Sequence, residues 1–553
     1  MLDEERIVRM YKVTFQLEGA GTVDAFAQED ENLLNVAQKS NVAIDAPCSG
    51  NGMCGKCRVK LVAGELESKK TRHISDEEYA DGWRLACCSK VIGDVTVEVP
   101  DIASAYRSRM KVADLSSKQE IELFENTKKQ VENAGILLKN SMSVLEIQME
   151  APTLDDTMPD NERFEWAVEA ATGIEHVRIP YSVLHKMARV FRENHFHVQC
   201  VVRKTSRDVF VYDILPAGEK AVIGGLAVDI GTTTVSAILM NMETGEILAK
   251  ASSGNGQIRY GADVINRIIE SQKPGGGKRL QKAVIEETIN PLISEMCRSI
   301  HFPKEHIYRP HARVIMAPNI GSYVGGDITA GTFASCIWNR PSMSLFIDLG
   351  TNGELVFGNS DFLMSCACSA GPAFEGGDIS CGMRATDGAI EACTIDKETM
   401  EPHFSVIGEE GTKPVGICGS GIIDIIAELF TCGIINAKGK FVREGERIRH
   451  DKYGMGSYVL AFEKDAGSVK DVEITEVDID NFIRAKGAIF SAIRTMLKSL
   501  DFTVDMIDDV YVAGGIGSGI NMRNAVNIGM FPDIPEEKFH YIGNSSLTGA
   551  YAM

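Results

Sequence analysis

Residues 46–59 read APCSGNGMCGKCRV, and residues 82–88 read GWRLACC. Cys48, Cys54 and Cys57 thus share one short loop, with five and then two residues between them. Cys87 follows after 29 more residues. Three thiolates on one loop, with a fourth from a distant segment, is how a chain wraps a [2Fe–2S] rhomb. Gly50, Gly52 and Gly55 let the backbone pass close to inorganic sulfide and aim N–H groups at it. Such hydrogen bonds help set a reduction potential. A zinc site is the competing reading, but zinc sites usually pair two short cysteine knuckles, and here one side is a lone cysteine. Cys88 directly follows Cys87 and is the alternative fourth ligand.

Working outward, Tyr11, Val13, Phe15 and Leu17 alternate with polar residues, the pattern of a half-buried strand. Val23–Phe26 can pair with it after the turn Gly19–Gly21. Residues 31–38 (ENLLNVAQ) have helical spacing, and 58–62 and 95–99 read as strands. Residues 1–100 therefore form a small mixed domain. A linker is expected over 101–125, and a charged helix over 117–139. A middle α/β domain is expected over 126–216. His195 and His197 alternate at the start of a strand there and read as surface or satisfied histidines. From 217 to 553, apolar strands run into glycine turns. Ala550–Met553 lie inside what reads as an amphipathic helix, as in a C-terminus cut short.

Lys and Arg number 57 against 77 Asp and Glu, a net charge of −20. That argues against nucleic acid or an anionic membrane as the main partner. The start, MLDEERIVRM, lacks the apolar core of a signal peptide, and no apolar run reaches the ~18 residues of a membrane span. A cytoplasmic protein is expected. In a reducing cytosol, 14 cysteines point to metal or cluster binding rather than to disulfides. Cys366, Cys368, Cys381 and Cys393 invite a second metal site, but their spacing fits no standard one, and they read as structural thiols.

Two stretches look like copies of one device. LAVDIGTTT holds Asp229, Gly231, Thr232, Thr233 and Thr234, and LFIDLGTNGE holds Asp348, Gly350, Thr351, Asn352, Gly353 and Glu354. Each is a buried strand ending in Asp, then a Gly-Thr turn, then a second strand. Such a hairpin points N–H and hydroxyl groups at phosphate oxygens, and its Asp holds magnesium through water or orients the attacking water. Asp229 and Asp348 are the candidates for these catalytic roles. Near the end, VYVAGGIG brings Gly514, Gly515 and Gly517, where bare backbone admits an adenosine ring. GICGSG, with Gly419 and Ser420, opens a helix whose N–H groups can face the nucleotide. No GxxxxGK[ST] occurs, so this is not a P-loop protein.

The first set of motifs resembles [2Fe–2S] ferredoxins of the β-grasp fold, across about residues 10–99. RLAC is that family's usual ligand context, which favours Cys87 and leaves Cys88 as a buried thiol. Five residues between the first two ligands is closer to adrenodoxin-like proteins than to the plant type. The second set, in its order, resembles the superfamily of actin, sugar kinases and chaperone ATPases. That resemblance implies two ribonuclease H-like lobes with ATP and Mg2+ in the cleft. The fusion of the two resembles the reductive activators of corrinoid proteins. APTLDD, IRYGADVINRI, MAPNIGSYVGGDITAG, SAGPAFEGGDISCGM and GICGSGIIDIIAELF match them too. The resemblance implies an ATP-hydrolysing reductase that returns a partner's Co(II) corrinoid to Co(I). The partner would be a methyltransferase corrinoid protein, docking near 316–331 and 369–383, although those loops read equally as walls of the nucleotide cleft. A ferredoxin, flavodoxin or reductase would load the cluster. The oligomeric state is open, with a homodimer as one form.

Three other functions compete: an activator of another enzyme, a small-molecule kinase with a ferredoxin as redox sensor, and a nucleotide-dependent filament. The two-site reading has a direct check. Asp348→Ala is expected to abolish ATP hydrolysis and leave the visible spectrum of the cluster intact. Cys54→Ser is expected to lose the spectrum while nucleotide binding survives. Loss of the cluster in Asp348→Ala would overturn the division of labour.

Overall fold

Alternating apolar residues drive the first sheet. Val13 and Phe15 are fully buried on the strand Met10–Leu17 (β1), which pairs with Gly21–Gln28 (β2) in an antiparallel hairpin. Arg58–Ser68 (β3), Trp83–Leu85 (β4) and Ser89–Val99 (β5) complete a five-stranded sheet in the order β2-β1-β5-β3-β4, with β1 parallel to β5. The helix Leu33–Lys39 buries Leu33, Leu34 and Val36 against it. This is the expected β-grasp arrangement. The computed structural model describes residues 9–17, 21–40, 42, 44, 55, 57–71, 73–100, 111–113, 118–136, 138, 141–218, 222–261, 264–300, 314–321, 323–350, 352–368, 372–375, 379–383, 385–451, 454–467, 470–514 and 520–553.

The stretch expected as a linker is not featureless at its far end. Lys111–Ala113 forms a strand (β6) that pairs with a strand beyond residue 246. The helix Lys118–Asn133 follows, shorter than the 117–139 expected. Next, Met142–Gln148 (β7), His176–Arg178 (β8), His197–Lys204 (β9) and Asp208–Pro216 (β10) make a sheet in the order β7-β9-β10-β8. The helices Asp160–Thr172 and Tyr181–Glu193 share its core through Phe164, Val168, Val183, Met187 and Phe191. The strand begins at His197, not His195. His195 has φ +51°, so the two histidines do not share a strand face. His197 meets Glu146 across the sheet at 2.6 Å.

Gly224–Ile230 (β11), Thr234–Asn241 (β12) and Ile247–Gly254 (β13) form an antiparallel meander, extended at its edge by β6. The same meander recurs as Ser344–Leu349 (β14), Gly353–Gly358 (β15) and Leu363–Cys368 (β16). Two further sheets lie between, one made of Ala389–Ile395 (β17), Pro402–Val406 (β18) and Gly416–Ile417 (β19), the other of Ile448–His450 (β20), Gly456–Ala461 (β21) and Val472–Thr475 (β22). Asp509–Ala513 (β23) and Phe539–Tyr541 (β24) then add in parallel beside β14, giving the order β16-β15-β14-β23-β24. The largest core cluster of the chain lies under this half, with the helices Gly419–Thr431 and Glu476–Ser499 packed into it.

One helix pair joins these halves. Ser545–Ala552 crosses Gly326–Ser335 so closely that a Cβ on Gly549 would stand 2.1 Å from the Ala330 carbonyl oxygen. Leu547 reaches the other way, into a cluster with Phe124, Ala227, Ile238 and Met240. Small residues thus let a single helix touch both repeats. Overpacking a closed contact costs about 1–3 kcal/mol. Gly549→Ala is expected to destabilise the protein by about that amount, read as a lower midpoint in thermal unfolding. An unchanged midpoint would mean that the helices part without cost.

Candidate functional site

Cys57 stands just before β3, and Cys87 sits in the 3-10 turn Ala86–Cys88 that follows β4. Backbone pairing sets them face to face, since Arg58 lies opposite Leu85 and the Ala86 N–H donates to the Cys57 carbonyl at 2.8 Å. Asn32 pins the other side. Its Nδ2 donates to the Cys87 carbonyl at 2.8 Å, while its Oδ1 accepts from Leu34 N at 3.1 Å in the first turn of the neighbouring helix. The two sulfurs are 3.2 Å apart. Sulfurs on one tetrahedral metal at ~2.3 Å stand about 3.8 Å apart, so a small rotation brings this pair to ligand spacing. Contact with Cys87 holds the Cys57 thiol down to about 7, and the same contact, with burial, pushes Cys87 far up. Two cysteine sulfurs already held face to face by the backbone are a donor set arranged for a metal. The residues present therefore fit a cluster. Gly55, with φ +66°, lies where a Cβ would strike the His73 side chain at 2.7 Å, so the loop needs glycine there. Cys48 and Cys54 lie outside the described residues. Cys88 is half-buried, not buried as expected.

The nucleotide hairpins repeat one register. Asp229 lies opposite Ser236, and Asp348 lies opposite Glu354. In the first, the fully buried Asn255 supports the turn, donating from Nδ2 to Gly231 O at 2.9 Å and from its backbone N to Thr233 O at 2.8 Å. The Arg267 guanidinium donates to Thr232 O, and Thr234 opens β12. In the second, Gly350 N donates to Asn352 O at 3.0 Å. A Cβ on Gly353 would stand 2.8 Å from Cys368 Sγ. Thr351 lies outside the described residues, as do Gly515 and Gly517. Gly514 ends β23 with φ +115° and no room for a Cβ, which would stand 2.2 Å from Leu349 O. Bare backbone therefore meets the end of β14 there.

Asp229 is half-buried, and both its oxygens are engaged. Asn544 Nδ2 donates to one at 2.9 Å and Ser546 Oγ to the other at 3.1 Å. Burial raises its carboxyl above the usual range despite those bonds, and Asp327 adds to the rise. Glu354 is pushed up to about 8 by burial, then by Asp348 and Asp327. Four carboxylates thus share one field, and Asp327 acts on both sides of it. Among the described residues no three such groups converge tightly enough to hold a bare ion. That suits Mg2+, which keeps most of its waters and takes phosphate oxygens as ligands.

Family models match along the chain. A 2Fe-2S iron-sulfur cluster binding domain covers 17–91, the RACo linker region 131–221, the RACo middle region 224–310, and the C-terminal domain of RACo, the ASKHA domain, 342–553. The corrinoid activation enzyme RamQ of Eubacterium limosum is 30% identical over 428 residues, 67% of this chain and 70% of that protein. The Co(II) methylated amine-specific corrinoid protein reductase of Methanosarcina barkeri is 26% identical over 270 residues, 44% of this chain and 46% of that protein. The solved structure of a reductive activator for corrinoid, iron-sulfur protein matches at 34% identity with a TM-score of 0.67, covering 98% of this chain and 92% of that one. The chain belongs to the RACo family of reductive activators of corrinoid proteins.

In this activator, the linker region named by the family is the segment read above as a middle domain. The N-terminus of helix Gly419–Thr431 is largely spent on packing. Ser420 is buried and donates to Glu391 O at 2.8 Å, so its hydroxyl is not offered to a phosphate. The extra cysteines scatter. Cys368 contacts Gly353 O at 3.2 Å, Cys366 the Met496 sulfur at 4.0 Å, Cys381 Asp471 O at 3.9 Å, and Cys393 Thr394 O at 3.6 Å. Burial pushes Cys393 up to about 12, as for a packed thiol. No described helix is long and apolar enough to cross a membrane.

The reading of residues in order missed Asp327, Asn255, Asn544 and Ser546. Asp327 had a signal, an acidic residue opening a helix after GlyGly, inside the stretch 316–331. The other three carry none, since an asparagine or serine that braces a turn looks like any other.

The Glu354 carboxyl gives a pH test. A carboxyl raised in the folded state lends stability that is complete below its unfolded value of 4.5 and is lost as pH rises to about 8. In nucleotide-free protein, the thermal midpoint of Glu354→Gln relative to wild type is expected to climb across that window and level off above it. A difference independent of pH would show Glu354 already ionised.

Proposed function

We propose that this chain is an ATP-dependent reductive activator that returns the Co(II) corrinoid of a methyltransferase corrinoid protein to Co(I). The supporting observation is the presence, in one chain of this family, of converging thiols at Cys57 and Cys87 and of two like hairpins whose carboxylates, Asp229 and Glu354, both feel Asp327. Cys48, Cys54, Cys57 and Cys87 hold the [2Fe–2S] cluster, which when bound supplies one electron at a time at low potential. A separate ferredoxin, flavodoxin or reductase loads it.

Plant-type [2Fe–2S] centres lie near about −400 mV. Reducing a Co(II) corrinoid normally calls for a stronger reductant, so the transfer runs uphill. ATP supplies the difference by binding the conformations of the complex with unequal affinity. The turn 231–234 would present N–H and hydroxyl groups to the phosphates, with Asn352 and Gly353 of the second hairpin facing them. Asp348 orients the attacking water or the magnesium waters. Asp229 holds the first hairpin against Asn544 and Ser546.

The test is anaerobic. The protein is reduced with a titanium(III) reagent and mixed with a Co(II) corrinoid methyltransferase protein, with and without Mg-ATP. The Co(I) absorption band is expected only with ATP. A band of equal size without ATP would remove the coupling. ATP turnover with an intact cluster but no Co(I), across a panel of corrinoid proteins, would favour a redox-sensing kinase.

A further inference from the structure

A third sulfur stands beside the Cys57–Cys87 pair. Cys88 Sγ lies 3.6 Å from Cys87 Sγ, within reach of an S–H···S hydrogen bond. The backbone fixes it there. The Cys88 carbonyl accepts from Lys69 N at 3.1 Å, and the buried Ser89 donates from Oγ to Leu85 O at 2.8 Å. With Asn32 on the Cys87 carbonyl, the turn Ala86–Cys88 is held on three sides.

Ligand cysteines bind metal as thiolates, so Cys57 and Cys87 would have no proton left to share. Cys88, the sulfur of the trio that is not counted among the ligands, then stands within reach of Cys87 Sγ as acceptor. We propose that Cys88 donates a hydrogen bond to the Cys87 sulfur and so raises the reduction potential of the [2Fe–2S] cluster. The inference rests on the reading that Cys57 and Cys87 are ligands. An added electron makes ligand sulfurs more negative, and a hydrogen bond to a more negative acceptor is stronger. The reduced state therefore gains more than the oxidised one, as hydrogen bonds to cluster sulfurs generally do. A higher potential makes the cluster easier to load from a cellular donor and steepens the climb to cobalt, the step that ATP drives. Cys88 is thus a positioning residue that acts through Cys87.

The experiment is a redox titration of the full chain, following the EPR signal of the reduced cluster in wild type, Cys88→Ala, Cys88→Ser and Cys87→Ser. Cys88→Ala is expected to keep the iron content and visible spectrum while its midpoint potential falls. Cys88→Ser, which retains a hydroxyl donor, is expected to recover most of that shift. Cys87→Ser is expected to lose or strongly alter the cluster spectrum. An unchanged or raised midpoint in Cys88→Ala would overturn the hydrogen bond. A cluster lost in Cys88→Ala but kept in Cys87→Ser would make Cys88 the ligand and overturn it too. A wild-type chain that holds no [2Fe–2S] cluster at all would instead sink the ligand reading on which the inference rests.

Discussion

Negative charge gathered at half-buried positions organises the ATPase half. Asp327 raises the carboxyls of both Asp229 and Glu354, Asp348 adds to the rise at Glu354, and the partial burial of Asp229 and Glu354 raises the cost of ionising them. Protonation of Glu354, favoured up to about pH 8, would relieve part of that cost. A magnesium ion with its waters would relieve it.

That tension has a mechanical outlet. Asp229 is tied to Asn544 and Ser546, at the start of the helix Ser545–Ala552. The same helix lies backbone to backbone on Gly326–Ser335, whose first turn carries Asp327. It also buries Leu547 beside Phe124, on a helix that follows the edge strand β6. The first turn of one short helix thus touches Asp229, and its next turn packs on the helix that carries Asp327. Close packing carries such a displacement because the contact has no slack.

The cluster site obeys the opposite logic. Its pair of described sulfurs is set by backbone hydrogen bonds and by Asn32, all neutral groups that act before any metal is present. A preformed pair lowers the ordering cost of coordination and fixes which sulfur faces which. Electron storage and nucleotide chemistry thus reside in separately built sites of one chain.

Much of this was legible in residue order. Cysteine spacing, strand alternation at Val13 and Phe15, and the repeated Asp-x-Gly-Thr turns are local patterns, and local patterns carry their geometry with them. They determined the two kinds of domain, the cluster type and the two hairpins. Tertiary structure alone decided the rest. Asp327 became part of the cleft because helix packing carried it there, and Asn544 met Asp229 across 315 residues of chain. Ser420 turned inward to Glu391 although its motif reads like a phosphate turn, and His195 left the strand for a turn of positive φ. A side chain's partner is set by what folds against it, and contacts between distant segments leave no periodicity to read.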